Sequence, residues 1–416
     1  MKRIAFLILL SVIFLSCRAV KTDSALAGKG IKDSLDTAIN RIHREGMFNG
    51  FAVSIVDDHS VLYQKGFGFS DVKERKPYTD HTIQNIASVS KTFVGIAVLK
   101  AQELGKLNLD DPVNKYLPFK VVNPHFPKTE ITIRQLTSHT SSILDNEFYL
   151  SKTYFLKPDQ DLTGVKLNFD DEQVFNPSDS VISMSHYLEH VLSEKGKWNQ
   201  GSFSTHKPGS VYEYSNVGTT LAAYIVERAT GQSFSSFTGK YILKPLHMND
   251  SGWKFEDISF STFSRLYENP GTVLPYYFSI SYPDGGLITN IHDLSLFMKE
   301  LIKGYNGTGT LLSKESYTLY FTPQLTASHF TERNDKNPYS ESYNTGIFIG
   351  FGYTGYIGHT GGDPGVMSMM FFNPENNLGR IMIFNTNFSD KKGNDAFYGI
   401  WNALEKYQVR LKETKK

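Results

Sequence analysis

The 416-residue chain balances 43 Lys+Arg against 42 Asp+Glu and is 40% hydrophobic and 13% aromatic. That balance gives no basic excess to grip nucleic acid and no acidic run to form a solvating tail, and the ring content argues against disorder. The apolar share suffices for a sizeable core, and the length allows two or three domains.

The N-terminus reads as a targeting segment, 1–17, to be set apart from the fold. Lys2 and Arg3 supply a positive start, and Ile4 to Phe14 is a nearly unbroken apolar run too short to span a membrane comfortably. Phe14-Leu15-Ser16-Cys17 follows. It resembles a bacterial lipoprotein signal, in which the cysteine becomes the lipidated first residue. Ser16 fits that pattern, while Phe14 and Leu15 depart from the usual residues. The alternative is an ordinary cleaved signal peptide and a soluble secreted or periplasmic protein. Cys17 is the only cysteine, so no disulfide forms within the chain. The expectation is a protein held at the bacterial cell envelope through lipid on Cys17, with residues 18–30 as a polar tether.

From Ile31, Leu35, Ala38, Ile39 and Ile42 recur at helical spacing, and Gly46 ends the pattern. Phe51 to Ile55 and Val61 to Phe67 are strand-like around Asp57-Asp58-His59-Ser60, a hairpin signal. Ser88 to Leu104 reads as a helix with Gly105 just beyond its end. About 110 to 280, helical segments mix with long polar loops. Strand patterns return at Val366 to Phe372 and Gly379 to Phe384, flanking the turn residues Asn373-Pro374-Glu375-Asn376-Asn377. Asp395 to Leu411 reads as a closing helix. An α+β fold is expected over 31–410: an antiparallel β-sheet built from both chain ends (about 31–87 and 281–410), flanked by helices, with an inserted, mostly helical lobe (about 88–280). No internal repeat is visible.

Three short motifs carry chemistry. In Ser88-Val89-Ser90-Lys91, residues three apart share a helix face, so Lys91 stands one turn behind Ser88 and can act on its hydroxyl. A serine hydroxyl needs such a base before it becomes a good nucleophile. The spacing alone is not selective, since it recurs at Ser70/Lys73, Ser204/Lys207, Ser251/Lys254 and Ser389/Lys392. In Tyr214-Ser215-Asn216, a tyrosine near a lysine can shuttle protons, and an asparagine amide can both donate to and accept from a substrate amide. The same residues would also serve as an ordinary helix start. In His359-Thr360-Gly361-Gly362, glycines on an edge strand would let a substrate approach the backbone, although a plain glycine-rich turn gives the same pattern.

In this order the three motifs resemble class C β-lactamases, D,D-peptidases and their esterase relatives. Other stretches fit as well: Gly105-Lys106-Leu107-Asn108-Leu109-Asp110-Asp111, Ile131 to Leu136 leading into His139-Thr140-Ser141, and Asp284-Gly285-Gly286-Leu287 before Asp293. The resemblance covers roughly residues 31–405. It implies a β-lactamase/transpeptidase-like fold and a serine hydrolase cleaving an ester or amide bond. Ser88 would be the nucleophile, and Lys91 and Tyr214 would handle protons. The N–H groups of Ser88 and Gly362 would form the oxyanion hole, and Asn216, His359, Thr360 and Gly361 would bind substrate. No metal or other cofactor is implied. The implied partner is a small-molecule or peptidoglycan-like substrate, with no nucleic acid.

His359 departs from the lysine that many β-lactamases and D,D-peptidases carry, which weakens an anchor for a substrate carboxylate. A D-amino acid peptide or small ester is therefore expected ahead of a β-lactam. Ser142 stands where glycine is usual. Residues 145–205 resemble an insertion that either shapes the pocket or decorates the surface. His186-Tyr187-Leu188-Glu189-His190 has the spacing of an inverted zinc-protease motif, against an ordinary helix there. A catalytically idle sensor or scaffold that binds cell-wall peptides is the alternative function.

Overall fold

Two largely apolar runs, at opposite ends of the chain and broken only by residues such as Ser54 and Arg380, become the adjacent central strands of one sheet. A strand covered on both faces has no solvent side, so its sequence loses the polar alternation of a half-exposed strand. That is why β1 (Gly50–Asp57) and its partner near the C-terminus are buried along their whole length. The computed structural model describes residues 26, 28–169, 172–331, 346–350 and 355–415. Cys17, the 1–17 leader and most of the 18–30 tether lie outside the described residues.

The sheet is completed by β2 (Val61–Asp71), β3 (Lys76–Pro77), β4 (Ile357–Asp363), β5 (Val366–Asn373) and β6 (Leu378–Phe384). Their spatial order is β4-β5-β6-β1-β2-β3, antiparallel throughout. The register sets Phe51 opposite Phe384 and Gly361 opposite Ser368. Five longer helices surround it: α1 (28–43), α2 (Lys91–Glu103), α3 (Asn216–Thr230), α4 (Ile291–Tyr305) and α5 (Lys391–Glu413). Alternation along the strands divides the core. Phe51, Val53, Ile55 and Phe384 face Leu35 and Ile39 of α1 and Ile400, Trp401 and Leu404 of α5. Ala52, Val56, Ile381 and Ile383 face α2 and α4. Phe93 of α2 and Phe297 of α4 stack there with ring centroids 3.7 Å apart.

Between the sheet halves lies the lobe around α2 and α3. It also holds short strands, Tyr154–Leu156 pairing antiparallel with Tyr277–Ser279. The 145–205 stretch thus joins the body of the protein through backbone pairing. Three local expectations are refined. The first helix begins at 28 and so takes in the end of the tether. Ser88 sits in a 3-10 turn, Ala87–Ser90, and the α-helix starts at Lys91. His359 to Gly362 form the body of edge strand β4.

Candidate active site

The 3-10 turn explains the Ser-x-x-Lys spacing, because residues i and i+3 nearly eclipse in that geometry. Lys91 Nζ lies 2.8 Å from Ser88 Oγ and 2.6 Å from the Asp284 carbonyl oxygen. Ser88 is half-buried, whereas Lys91 is fully buried. Burial pushes the Lys91 ammonium below its ordinary pKa, against the opposing pull of Asp284, Asp145 and Asp363. The turn itself is strained. Ala87 adopts φ +47°, a left-handed conformation costing a β-carbon-bearing residue about 1–3 kcal/mol. Hydrogen bonds on both sides hold it: Ser368 Oγ donates to Ile86 O (2.7 Å), Ile86 N to Leu287 O (3.1 Å), and Leu287 N to Ser90 Oγ (3.1 Å).

Tyr214 enters from the residue before the α3 cap. Its ring centroid is 5.2 Å from Lys91 Nζ, 4.5 Å from the His139 ring and 6.3 Å from the His359 ring. Ser215 caps α3 by accepting from Gly218 N at 2.9 Å, and its own N–H donates to His139 Nδ1 at 3.1 Å. His139 is buried, and burial holds its pKa well below the usual histidine value. Asp145 closes the same helix end, accepting from Asn216 N (3.0 Å), Asn216 Nδ2 (2.7 Å) and Val217 N (2.9 Å). A carboxylate there satisfies orphan amides and meets the positive end of the helix. Because an ionised carboxylate only accepts, the contact also fixes which end of the Asn216 amide faces Asp145.

On the other wall, β4 supplies His359, Thr360, Gly361 and Gly362. His359 is buried, with Nδ1 2.5 Å from Thr360 O. Burial, reinforced by Lys91, pushes its pKa down to about 3, so the ring is neutral at pH 7. Gly361 lies against the Ala87–Ser90 turn: a β-carbon there would stand 2.6 Å from Ile86 O and 2.4 Å from Ser368 Oγ. Gly362, next along the strand, is exposed. The cleft between these walls is about 500 Å³, lined by Ser88, Tyr212, Tyr214, Asn216 and residues 359–362.

The structure therefore brings together every motif residue of the expected site: Ser88, Lys91, Tyr214, Asn216, His359, Thr360, Gly361 and Gly362. It adds residues to which sequence reasoning assigned no role in the site. Asp363 follows Gly362, one position past the motif, and with Asp284 lines a second chamber of about 160 Å³. Tyr149 and Tyr154, from the 145–205 insertion, line the same chamber, so the insertion shapes the pocket. Asp145 and His139 act on α3 from more than 70 positions away, at a distance no local pattern signals.

The zinc-like spacing takes the ordinary-helix form. His186 is exposed on helix Met184–Leu192, and His190 packs edge-on to Trp198 with centroids 4.8 Å apart. Among the described residues, no group of three or more His, Cys, Asp or Glu side chains is placed to hold a metal ion.

Comparison with known proteins bears on the family and the fold. Protein flp of Staphylococcus aureus (strain COL) is 26% identical over 360 residues, covering 86% of this chain and 63% of flp, so the chain spans less than two thirds of that relative's length. Penicillin-binding protein 4* of Bacillus subtilis (strain 168) is 24% identical over 360 residues, covering 81% of this chain and 68% of the relative. Among solved structures, the octameric penicillin-binding protein homologue from Pyrococcus abyssi superposes with a TM-score of 0.68 at 24% identity, covering 89% of this chain and 76% of its own. D-amino acid amidase from Ochrobactrum anthropi SV3 superposes with a TM-score of 0.64 at 20% identity, covering 90% and 99%. Both structural likenesses establish the fold. The Beta-lactamase family model matches residues 35–405, across the sheet and the inserted lobe alike, and the chain belongs to that family.

Proposed function

We propose that the protein is a serine hydrolase that forms an acyl-enzyme on Ser88. The observation that carries this reading is the 2.8 Å contact between Ser88 Oγ and the Nζ of a fully buried lysine. A lysine whose ammonium is destabilised by burial reaches its neutral, proton-accepting form more readily. Neutral Lys91 takes the Ser88 proton as Oγ attacks the substrate carbonyl. The N–H groups of Ser88 and Gly362 receive the negative oxygen. Tyr214 passes the proton to the leaving group, and Asn216 orients the substrate amide. Water then hydrolyses the ester on Ser88, returning the serine. With His359 neutral, the cleft gives little anchorage to a substrate carboxylate. That favours small esters and D-amino acid amides or peptides and makes β-lactams poor substrates.

The test is intact-protein mass spectrometry after exposure to an activated ester, a penicillin and a phosphonate, with Ser88→Ala as control. A mass gain on Ser88, absent in the control, is expected, fastest with the ester. A folded protein that gains no mass from any reagent would instead be the idle, peptide-binding relative.

We also propose that the leader is removed before Cys17 and that Cys17 carries the lipid, placing the enzyme at the cell envelope. The support is the order of charge, apolar run and lone cysteine in residues 1–17. The full chain should partition with membranes and Cys17→Ser should shift to the soluble fraction. Equal partitioning of the two would reject the anchor.

A further inference from the structure

The chamber beside Ser88 is acidic in a way that acyl transfer alone does not require. Asp284 closes a short turn, Tyr282–Asp284, and is 3% exposed. Its Oδ2 accepts from Tyr149 OH (3.1 Å) and Thr220 Oγ1 (3.0 Å). Asp363, the last residue of β4, accepts through Oδ1 from Tyr154 OH at 2.7 Å. Its Oδ2 lies 2.9 Å from the point where a β-carbon on Gly285 would stand, so it reaches the glycine that follows Asp284 in the chain. Both line the 160 Å³ chamber together with Ser88 and Gly362.

Lys91 is the one cation that pulls on both carboxyls among the described residues, and it forms an ion pair with neither. None of the ion pairs among the described residues involves Asp284 or Asp363. Lys91 is near, but its Nζ contacts Ser88 Oγ and the Asp284 backbone carbonyl rather than either carboxylate. Burial raises Asp284 to about 7 and Asp363 to about 6, outweighing the attraction of Lys91 on each. One lysine shared between two buried acids leaves negative charge undercompensated, and an entering cation relieves that cost.

Resting on the serine-hydrolase reading, we propose that this chamber is a subsite for a protonated amine on the acyl part of the substrate, so that the enzyme acts on amides or esters of amino acids whose amino group is free. The chamber shares Ser88 and Gly362 with the reaction centre, which places the cation within a few bonds of the attacked carbonyl. An α-amino group meets that condition. The opposite wall supplies no competing attraction for an anion, because His359 is neutral. Tyr149 and Tyr154 hold the two carboxyls through their hydroxyls, which assigns the inserted segment a role in substrate choice.

The experiment compares kcat/KM for the 4-nitroanilides of D- and L-alanine with their N-acetyl and N-succinyl forms. The free-amine substrate of the preferred enantiomer should exceed both blocked forms at least tenfold, a factor in keeping with one charge-assisted contact in a partly dry site. In Asp363→Asn the ratio of free-amine to N-acetyl substrate should fall towards one. The comparison among substrates needs no variant, so it holds even if Asp363→Asn folds poorly. Calorimetric binding of alaninamide against N-acetylalaninamide to Ser88→Ala reads the subsite without turnover, and tenfold tighter binding of the free amine is expected. Amine-selective binding by a protein whose Ser88 takes no label supports the subsite while removing the hydrolase reading. A labelled Ser88 with blocked substrates cleaved as well as free amines overturns the subsite and leaves the hydrolase reading standing.

Discussion

Replacing Lys91 with methionine is expected to slow acylation of Ser88 by about 10²–10⁴-fold, the usual span for a positioned proton acceptor, while thermal stability stays level or rises. Methionine offers a similar unbranched stem without the amine. Lys91 is fully buried, and burial outweighs the pull of Asp284, Asp145 and Asp363, so its charge is held at a net desolvation cost that methionine removes. The rate of mass gain on Ser88 and a thermal melt check both halves. A fast Lys91→Met enzyme would strip Lys91 of its role as base, and a collapsed one would make it a structural residue. The same shift fixes the sign of the pH profile. Neutral Lys91 grows as pH rises through its depressed pKa, so acylation should climb to a plateau below the pH at which a free lysine, near 10.4, would lose its proton. That limb should vanish in the methionine variant. Between the depressed folded pKa and the ordinary unfolded one, the unfolded chain binds more protons. Lys91 therefore opposes folding, fully at low pH and less as pH rises, and the gain in stability from methionine should shrink towards alkaline pH.

Gly361→Ala should lower kcat/KM about 100-fold through a single methyl group. The added carbon would meet Ile86 O at 2.6 Å and Ser368 Oγ at 2.4 Å, and Ile86 belongs to the turn that carries Ser88. Backbone oxygen does not yield as a flexible side chain does. Either β4 moves off the turn, or the strained Ala87 loses the Ser368 hydrogen bond that steadies it. Both shift Ser88 relative to Gly362 by a substantial fraction of an ångström, and misplacement of about 1 Å costs about 10²-fold. Kinetics against thermal melting separate the effects: a large rate loss with a modest fall in melting temperature is expected. Near-native rates would show that the edge strand can shift without disturbing Ser88.

The parts of this molecule legible in the sequence are those in which neighbours along the chain act together. β1 and β6 announce themselves as largely apolar runs, despite Ser54 and Arg380, because both their faces are covered. Ser88 and Lys91 share one turn, and residues 359–362 share one strand. What escaped lies across the chain or just past a boundary. Asp145 caps a helix 71 positions on, and nothing local distinguishes it from any loop aspartate. Asp284 is visible only as the first residue of a glycine stretch, and its meeting with Asp363 depends on a turn and an edge strand converging. The inserted segment was ambiguous because Tyr149 and Tyr154 could as well have faced solvent. Their hydroxyls meeting two carboxyls settle which way they point.

The central pairing of β1 with β6 also imposes a timetable. Gly50 N–H reaches Asn385 Oδ1 across 335 positions, so the middle of the sheet closes only after nearly the whole chain is available. β4 is tied to β1 only through β5 and β6, so the wall bearing Gly362 is fixed in place only once β6 has docked on β1. Contacts this distant in sequence make for slow assembly, since a long loop must close before the contact is rewarded. Until then β1 presents a long apolar edge, the kind of surface on which unfinished chains stick together. Ser88 and Lys91 share one turn and can meet early, but the cleft around them is complete only when the C-terminal strands dock.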